Sequence, residues 1–178
     1  MKKKTPDRLL LAHGSGGRLT HELVTGTFLP ALDNPFLASL SDAAILPELP
    51  PGRPALTTDG FVVDPPVFPG GDLGYLSVCG TVNDLAVAGA RPLWLTWGLI
   101  LEEGVDGDLI SSCAEGTARA ASEGSDSLRL VAASEAIGNR PTRKGWIGKF
   151  HNRDVHGRVP PGSVWRGPVH SGVWAGIR

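Results

Sequence analysis

The sequence predicts an α+β fold: a mixed or antiparallel sheet with helices on one face, followed by a poorly structured tail. Three observations lead there. Two segments of helical period are bounded by cap residues, Asp72 to Gly89 and Asp106 to Gly124. An apolar run of strand length, residues 93–101, lies between them. After about residue 124 neither the helical nor the strand period persists.

The elements follow in order. Residues 9–12 (LLLA) read as a short strand, and residues 13–17 (HGSGG) as a flexible glycine-rich turn. Residues 18–29 follow as a helix with Leu19, Leu23 and Val24 on one face. Residues 44–46 and 55–58 are strand candidates, with a further apolar stretch at 61–63. The proline-rich residues 47–54 separate them. Asp72 is a good N-cap for the next helix. Its apolar positions Leu76, Cys79, Val82, Leu85, Ala86 and Val87 predict a wide buried face, and Gly89 and Pro92 end it. Residues 93–101 form a strand and residues 102–104 turn the chain. Asp106 opens a second long helix with Leu109, Ile110, Cys113, Ala114 and Ala118 at helical spacing.

The chain has 178 residues, enough for one domain with a core. No apolar run approaches 18 residues, so no transmembrane helix is expected, and the basic start is not followed by a secretory apolar region. Cys79 and Cys113 form no CxxC motif, which excludes a zinc ribbon. Both are expected to be buried, reduced thiols of a cytoplasmic protein. The net charge of −1 hides an asymmetry. Residues 1–124 carry 8 Lys/Arg against 15 Asp/Glu, and residues 125–178 carry 9 against 3, so two kinds of sequence meet near Gly124.

The residues that suggest chemistry lie in the first part. Asn83 and Asp84 stand side by side inside an otherwise apolar helix, where both compete with the backbone for hydrogen bonds. A carboxylate buried there would need a partner or a cation. Asp42 and Asp59 stand at the ends of apolar segments. Separated carboxylates on rigid elements can converge on hard cations and leave positions for phosphate oxygens. The plain alternative is that Asp42 and Asp59 are turn or cap residues. The glycine-rich turn could cradle phosphates with backbone N–H groups, or be a surface turn. It lacks the P-loop lysine and the last glycine of the dinucleotide fingerprint.

Five segments taken together resemble one family. They are residues 12–18 (AHGSGGR), 57–63 (TTDGFVV), 68–74 (FPGGDLG), 80–92 (GTVNDLAVAGARP) and 102–104 (EEG). In order and spacing they are similar to HypE, a maturation protein of nickel–iron hydrogenases within the aminoimidazole ribonucleotide synthetase-related superfamily. The resemblance covers about residues 7–124. It implies a two-domain, ATP-dependent homodimer. Such proteins take a carbamoyl group from HypF onto a C-terminal cysteine and dehydrate the thiocarboxamide to a thiocyanate. The cyano group then passes through the HypC–HypD complex to iron. The resemblance assigns Asp42, Asp59 and Asp84 to Mg²⁺ and ATP, with Asp84 also catalytic. Asn83 supports them, and Gly14, Ser15, Gly16 and Gly17 lie near the triphosphate. No membrane or nucleic-acid partner is implied.

Past Gly124 the resemblance stops. Residues 128–132 still read as a strand, but residues 133–137 stand where the family has Gly-Asp-Thr-Lys. The expected organisation is an ATP-binding and dimerisation domain over 1–132 and a non-homologous basic tail over 133–178. A shifted reading frame near residues 125–135 would give such a tail, and a chain without the acceptor cysteine is expected to be inactive. Two alternatives are a non-catalytic dimerisation module of the same superfamily and a domain with a basic partner-binding tail.

Overall fold

A computed structural model describes residues 5–32, 34–41, 43–48, 51–124, 128–138 and 169–177. A 3-10 turn, Leu11–Gly14, leads into a helical stretch. It consists of α1 (Arg18–Leu23), a π-turn (Val24–Phe28) and α2 (Leu29–Leu32). Strand β1 (Ala55–Phe61) is followed by the two-residue strands β2 (Val67–Phe68) and β3 (Gly71–Asp72). Then come α3 (Leu73–Val87), β4 (Pro92–Glu102), α4 (Gly107–Gly124), β5 (Arg129–Gly138) and β6 (Val169–Ile177).

The main sheet is mixed, in the order β1-β6-β4-β5. β4 and β5 run parallel, joined through α4, while β6 runs antiparallel to both β1 and β4. β4 shows why the sheet has an inside. Leu95, Trp97, Leu99 and Leu101 are buried at every second position, and Thr96, Gly98 and Ile100 between them are half-buried. The buried set joins Leu73, Val78 and Leu85 of α3 and Ile110, Cys113 and Ala114 of α4 in one core. At 25 cal/mol per Å², each such side chain contributes about 1.5–3 kcal/mol when fully buried.

The capping expectations hold. The Asp72 carboxylate accepts from the Tyr75 N–H at 2.9 Å, capping α3. Gly89, at φ +69°, ends it, with its N–H donating to the Ala86 carbonyl at 3.0 Å. α3 and α4 cross closely because glycine sits at the crossing. A Cβ on Gly74 would lie 1.9 Å from the Cys113 carbonyl oxygen. A Cβ on Gly116 would meet the Asp72 carboxylate.

Other expectations are corrected. Residues 9–12 are not a strand. Arg8 makes a single bridge to Asp106, and the chain then coils into the 3-10 turn, with Leu10 and Leu11 exposed. Residues 44–46 form no strand, and Ile45 is 92% exposed, so its side chain gains nothing from burial. β1 extends past the expected residues 55–58 to Phe61. The buried face of α3 is narrower than its apolar content suggested, since Ala86 and Val87 are exposed. In the tail, residues 139–168 lie outside the described residues. Residues 169–177 differ from the expectation of no regular element, forming β6 between β1 and β4. Their alternate positions 169, 171, 173, 175 and 177 carry Val, Ser, Val, Ala and Ile, a strand period interrupted by Ser171 and masked by the Gly and Pro residues before it.

Candidate functional site

The site is built where β1 passes α3. Phe61 packs against Gly80, where a Cβ would lie 2.4 Å from the ring. Four residues earlier on the strand, the Thr57 hydroxyl donates to the Asp84 carboxylate at 3.4 Å, four residues later on the helix. Strand and helix therefore run in opposite directions here, and Asp59 lies between the two contacts. Thr57, Asp59 and Phe61 alternate onto one face of β1, so Asp59 stands about 7 Å along the strand from Thr57. On the helix, Gly80, Asn83, Asp84 and Val87 share one stripe by their i, i+3 and i+4 spacing.

Asp59 and Asp84 are thus brought to one junction, with Asn83 beside them, and all three are exposed. That corrects the reason for noticing Asp84. The helix does not bury the carboxylate; its apolar neighbours Ala86 and Val87 are exposed as well. Solvation removes the need for a compensating charge, and what distinguishes Asp84 is its convergence with Thr57 and Asp59. Asp59 Oδ1 accepts from its neighbour's Gly60 N–H at 2.7 Å, which turns one carboxylate oxygen along the strand. Asp42 lies outside the described residues. Among the described residues no three of His, Cys, Asp and Glu form a metal-sized group. Two carboxylates and a hydroxyl still suit Mg²⁺, which is held through one or two carboxylates plus substrate phosphates.

The glycine-rich segment is placed elsewhere. A Cβ on Gly14 would lie 3.1 Å from Cβ of Ile137 on β5. β5 and β1 are opposite edges of the sheet, three strand spacings or roughly 14 Å apart. No contact among the described residues joins Gly14, Ser15, Gly16 or Gly17 to Asp59 or Asp84. The segment is ordered by its own bonds. Ser15 Oγ donates to the Ala12 carbonyl at 2.9 Å, and the Gly16 N–H donates to Thr20 Oγ1 at 3.0 Å. Gly16 takes φ +76°, a conformation that favours glycine. Gly16 and Gly17 edge an open cavity of about 410 Å³ floored by Phe28, Leu32 and Val131.

A second polar cluster ties the helices together. Arg119 pairs with the buried Asp72 at 3.5 Å and lies over the Tyr75 ring at 5.0 Å. The Tyr75 hydroxyl donates to Glu123 at 2.6 Å, and that bond first of all pushes the phenol up to about 12. Burial pushes the Cys113 thiol up to about 11, and it pushes the half-buried Cys79 thiol upward as well. Neither is a poised nucleophile, because the reactive species is the thiolate.

A profile of AIR synthase related protein, N-terminal domain, matches residues 40–129, half of the chain. The chain belongs to the AIR synthase related family. Within it, the chain is similar to "Carbamoyl dehydratase HypE" of Rhodobacter capsulatus, 40% identical over 159 residues. That match takes in 88% of this chain, which carries it beyond residue 132, and 45% of the relative. Among solved structures, the hydrogenase maturation protein HypE in complex with ATP superposes with a TM-score of 0.75 at 35% identity. It covers 96% of this chain and 43% of the other. HypE in a HypE–HypF complex superposes with a TM-score of 0.53 at 33% identity, covering 90% and 42%. The chain therefore spans about half the length of the relatives it matches. No helix among the described residues is long and apolar enough to cross a membrane.

Sequence reasoning missed two residues of interest. Thr57, within the TTDGFVV segment, contacts Asp84. Two-residue spacing from Asp59 on a strand was the available signal. Glu103 was read only as part of a turn, although its carboxylate accepts from the Leu11 N–H at 3.1 Å.

Proposed function

We propose that this chain forms the nucleotide-binding and assembly half of a HypE-type carbamoyl dehydratase of hydrogenase maturation. The observation that carries the reading is the junction of Thr57, Asp59 and Asp84 across β1 and α3. It lies in a chain whose relatives include a HypE bound to ATP. Asp59 and Asp84 would hold Mg²⁺, with Asp42, which lies outside the described residues, as the third carboxylate the resemblance implies. Asn83 supports them from the same helix stripe. The metal neutralises phosphate charge when ATP is bound. Gly14, Ser15, Gly16 and Gly17 line the same ligand from the β5 side, the Gly16 N–H being held by Thr20.

In the dehydration the amide oxygen of the thiocarboxamide takes a phosphoryl group and leaves as phosphate, while a base takes the N–H protons. The chain's part is to orient the phosphate and to hold a carboxylate, Asp84, near the reacting amide. Burial raises the Cys79 and Cys113 thiols, which disfavours the thiolate that a carbamoyl acceptor needs. The chain binds nucleotide and pairs with a second copy. HypF, seen with HypE in a solved complex, and the HypC–HypD complex are the partners of the whole assembly, in the cytoplasm.

Calorimetric titration of the full chain with ATP tests the reading. Binding with Mg²⁺ present and its loss on chelation are expected. Absence of binding in both conditions overturns the nucleotide reading. A second reading, a dimerisation module without nucleotide, is favoured by the exposed outer edge of the sheet, where Leu56 is 80% exposed. A chain that dimerises by sedimentation and ignores ATP would establish it.

A further inference from the structure

We propose that Glu103 is a positioning residue for the glycine-rich turn: its carboxylate holds the chain leading into residues 14–17 in the orientation that turns its backbone toward a phosphate. The inference rests on the reading of that segment as a nucleotide contact. It deepens that reading by linking two separate sequence segments, 12–18 and 102–104, through one hydrogen bond.

The N-terminal segment is zipped to the β4–α4 connection by backbone bonds. The Gly107 N–H donates to the Asp7 carbonyl at 3.1 Å, the Leu9 N–H to Val105 at 3.0 Å, and the Gly104 N–H to Leu9 at 2.8 Å. Arg8 adds a side-chain bond to the Gly104 carbonyl at 2.9 Å. Buried Leu9 is the last residue this ladder anchors. Leu10 and Leu11 follow, 51% and 40% exposed, so apolar burial does not hold them. Side chains take over at this point. The Leu10 N–H donates to Nδ1 of buried His13 at 3.0 Å, and the Leu11 N–H donates to Glu103 Oε1 at 3.1 Å.

His13 is local to the turn and travels with it. Glu103 is 92 residues away, in the turn that directly follows the last residue of β4. It is therefore the group that fixes the turn relative to the sheet. Gly14 packs on Ile137 immediately afterwards, and Thr20 closes the far side through the Gly16 N–H. A carboxylate acceptor makes a charge-assisted bond, stronger than a neutral one.

The test uses the full chain with Glu103→Ala and Glu103→Gln, the latter retaining an acceptor oxygen. Amide hydrogen exchange and MgATP titration are the readouts. Glu103→Ala is expected to speed exchange at Leu11 and residues 14–17 and to weaken MgATP about tenfold. Exchange in α3 and α4 stays as in the parent. Glu103→Gln restores both. Glu103→Asp, one methylene shorter, gives the same reading as Glu103→Ala should the alanine variant be insoluble. Unchanged exchange at 14–17, unchanged MgATP affinity, or no rescue by glutamine overturns the proposal. If the parent chain does not bind MgATP, the nucleotide reading fails on its own. Exchange at 14–17 then still decides whether Glu103 positions the turn.

Discussion

Substituting Gly74 by alanine probes the crossing that sets α3, and with it Asp84, against the sheet. The new Cβ would lie 1.9 Å from the Cys113 carbonyl oxygen, 2.7 Å from Thr117 Oγ1 and 2.8 Å from the Cys113 carbonyl carbon. Two of those three atoms are backbone of α4 and cannot rotate away. Relief requires the helices to part by more than about 1 Å, which disturbs packing around Leu73, Val78 and Ile110. Overpacking of this kind costs about 1–3 kcal/mol, and more where the clash is with backbone. Alanine returns about 1 kcal/mol through helix propensity. With the clash against backbone placing the cost at or above the top of that range, the net loss is about 2 kcal/mol or more, a fall in Tm of at least roughly 4–8 °C for a chain of this size. Urea denaturation followed by circular dichroism measures it. A variant as stable as the parent, or more stable, would refute the close crossing.

Further outcomes follow from the same contacts. Asp72→Ala removes the α3 cap and leaves Arg119 unpaired, and should cost about 1–2 kcal/mol in the same denaturation experiment. Arg119→Ala, at a half-exposed site, should cost less than about 1 kcal/mol. The folded-state thiol of Cys113 is raised to about 11 from 9.0 by burial. Its contribution is fully present below pH 9 and is lost as pH rises towards about 11, because only the unfolded thiol ionises in that window. Denaturation midpoints should fall across that window, and Cys113→Ala should flatten the fall. At pH 8 iodoacetamide should modify Cys79 slowly and Cys113 only after denaturation, as mass spectrometry would show. Thr57→Val should leave stability within about 0.5 kcal/mol, since the bond it removes is long and exposed.

Much of this fold can be read in the chain because local signals agree. α3 and α4 are flagged by Asp72, Asp106, Gly89 and Gly124, and β4 by its apolar run between them. Where signals were short or shared, the reading failed. β2 and β3 have two residues each, too few for any period to register. Residues 9–12 are apolar enough for a strand, yet only Leu9 of the three leucines finds the core. For α3, Ala86 and Val87 counted as apolar, but their direction around the helix depends on where β1 passes, which is a tertiary fact. The same holds for Asp84. Its neighbours suggested burial, and only the strand brings Thr57 and Asp59 to it. The glycine-rich segment could be recognised as a turn, but its place at the β5 edge depends on Ile137 and Glu103, about a hundred residues away in sequence.

The central claim is that Asp59 and Asp84 jointly face a metal-bound triphosphate. Replacing Mg²⁺ with paramagnetic Mn²⁺ in the presence of ATP, and recording amide resonances of the full chain, tests it most directly. The account predicts strong broadening at residues 58–60 and 83–85, abolished by the double variant Asp59→Asn with Asp84→Asn, while α4 resonances at residues 110–117 stay sharp. Broadening centred elsewhere, or broadening at the junction that survives the double variant, would contradict it.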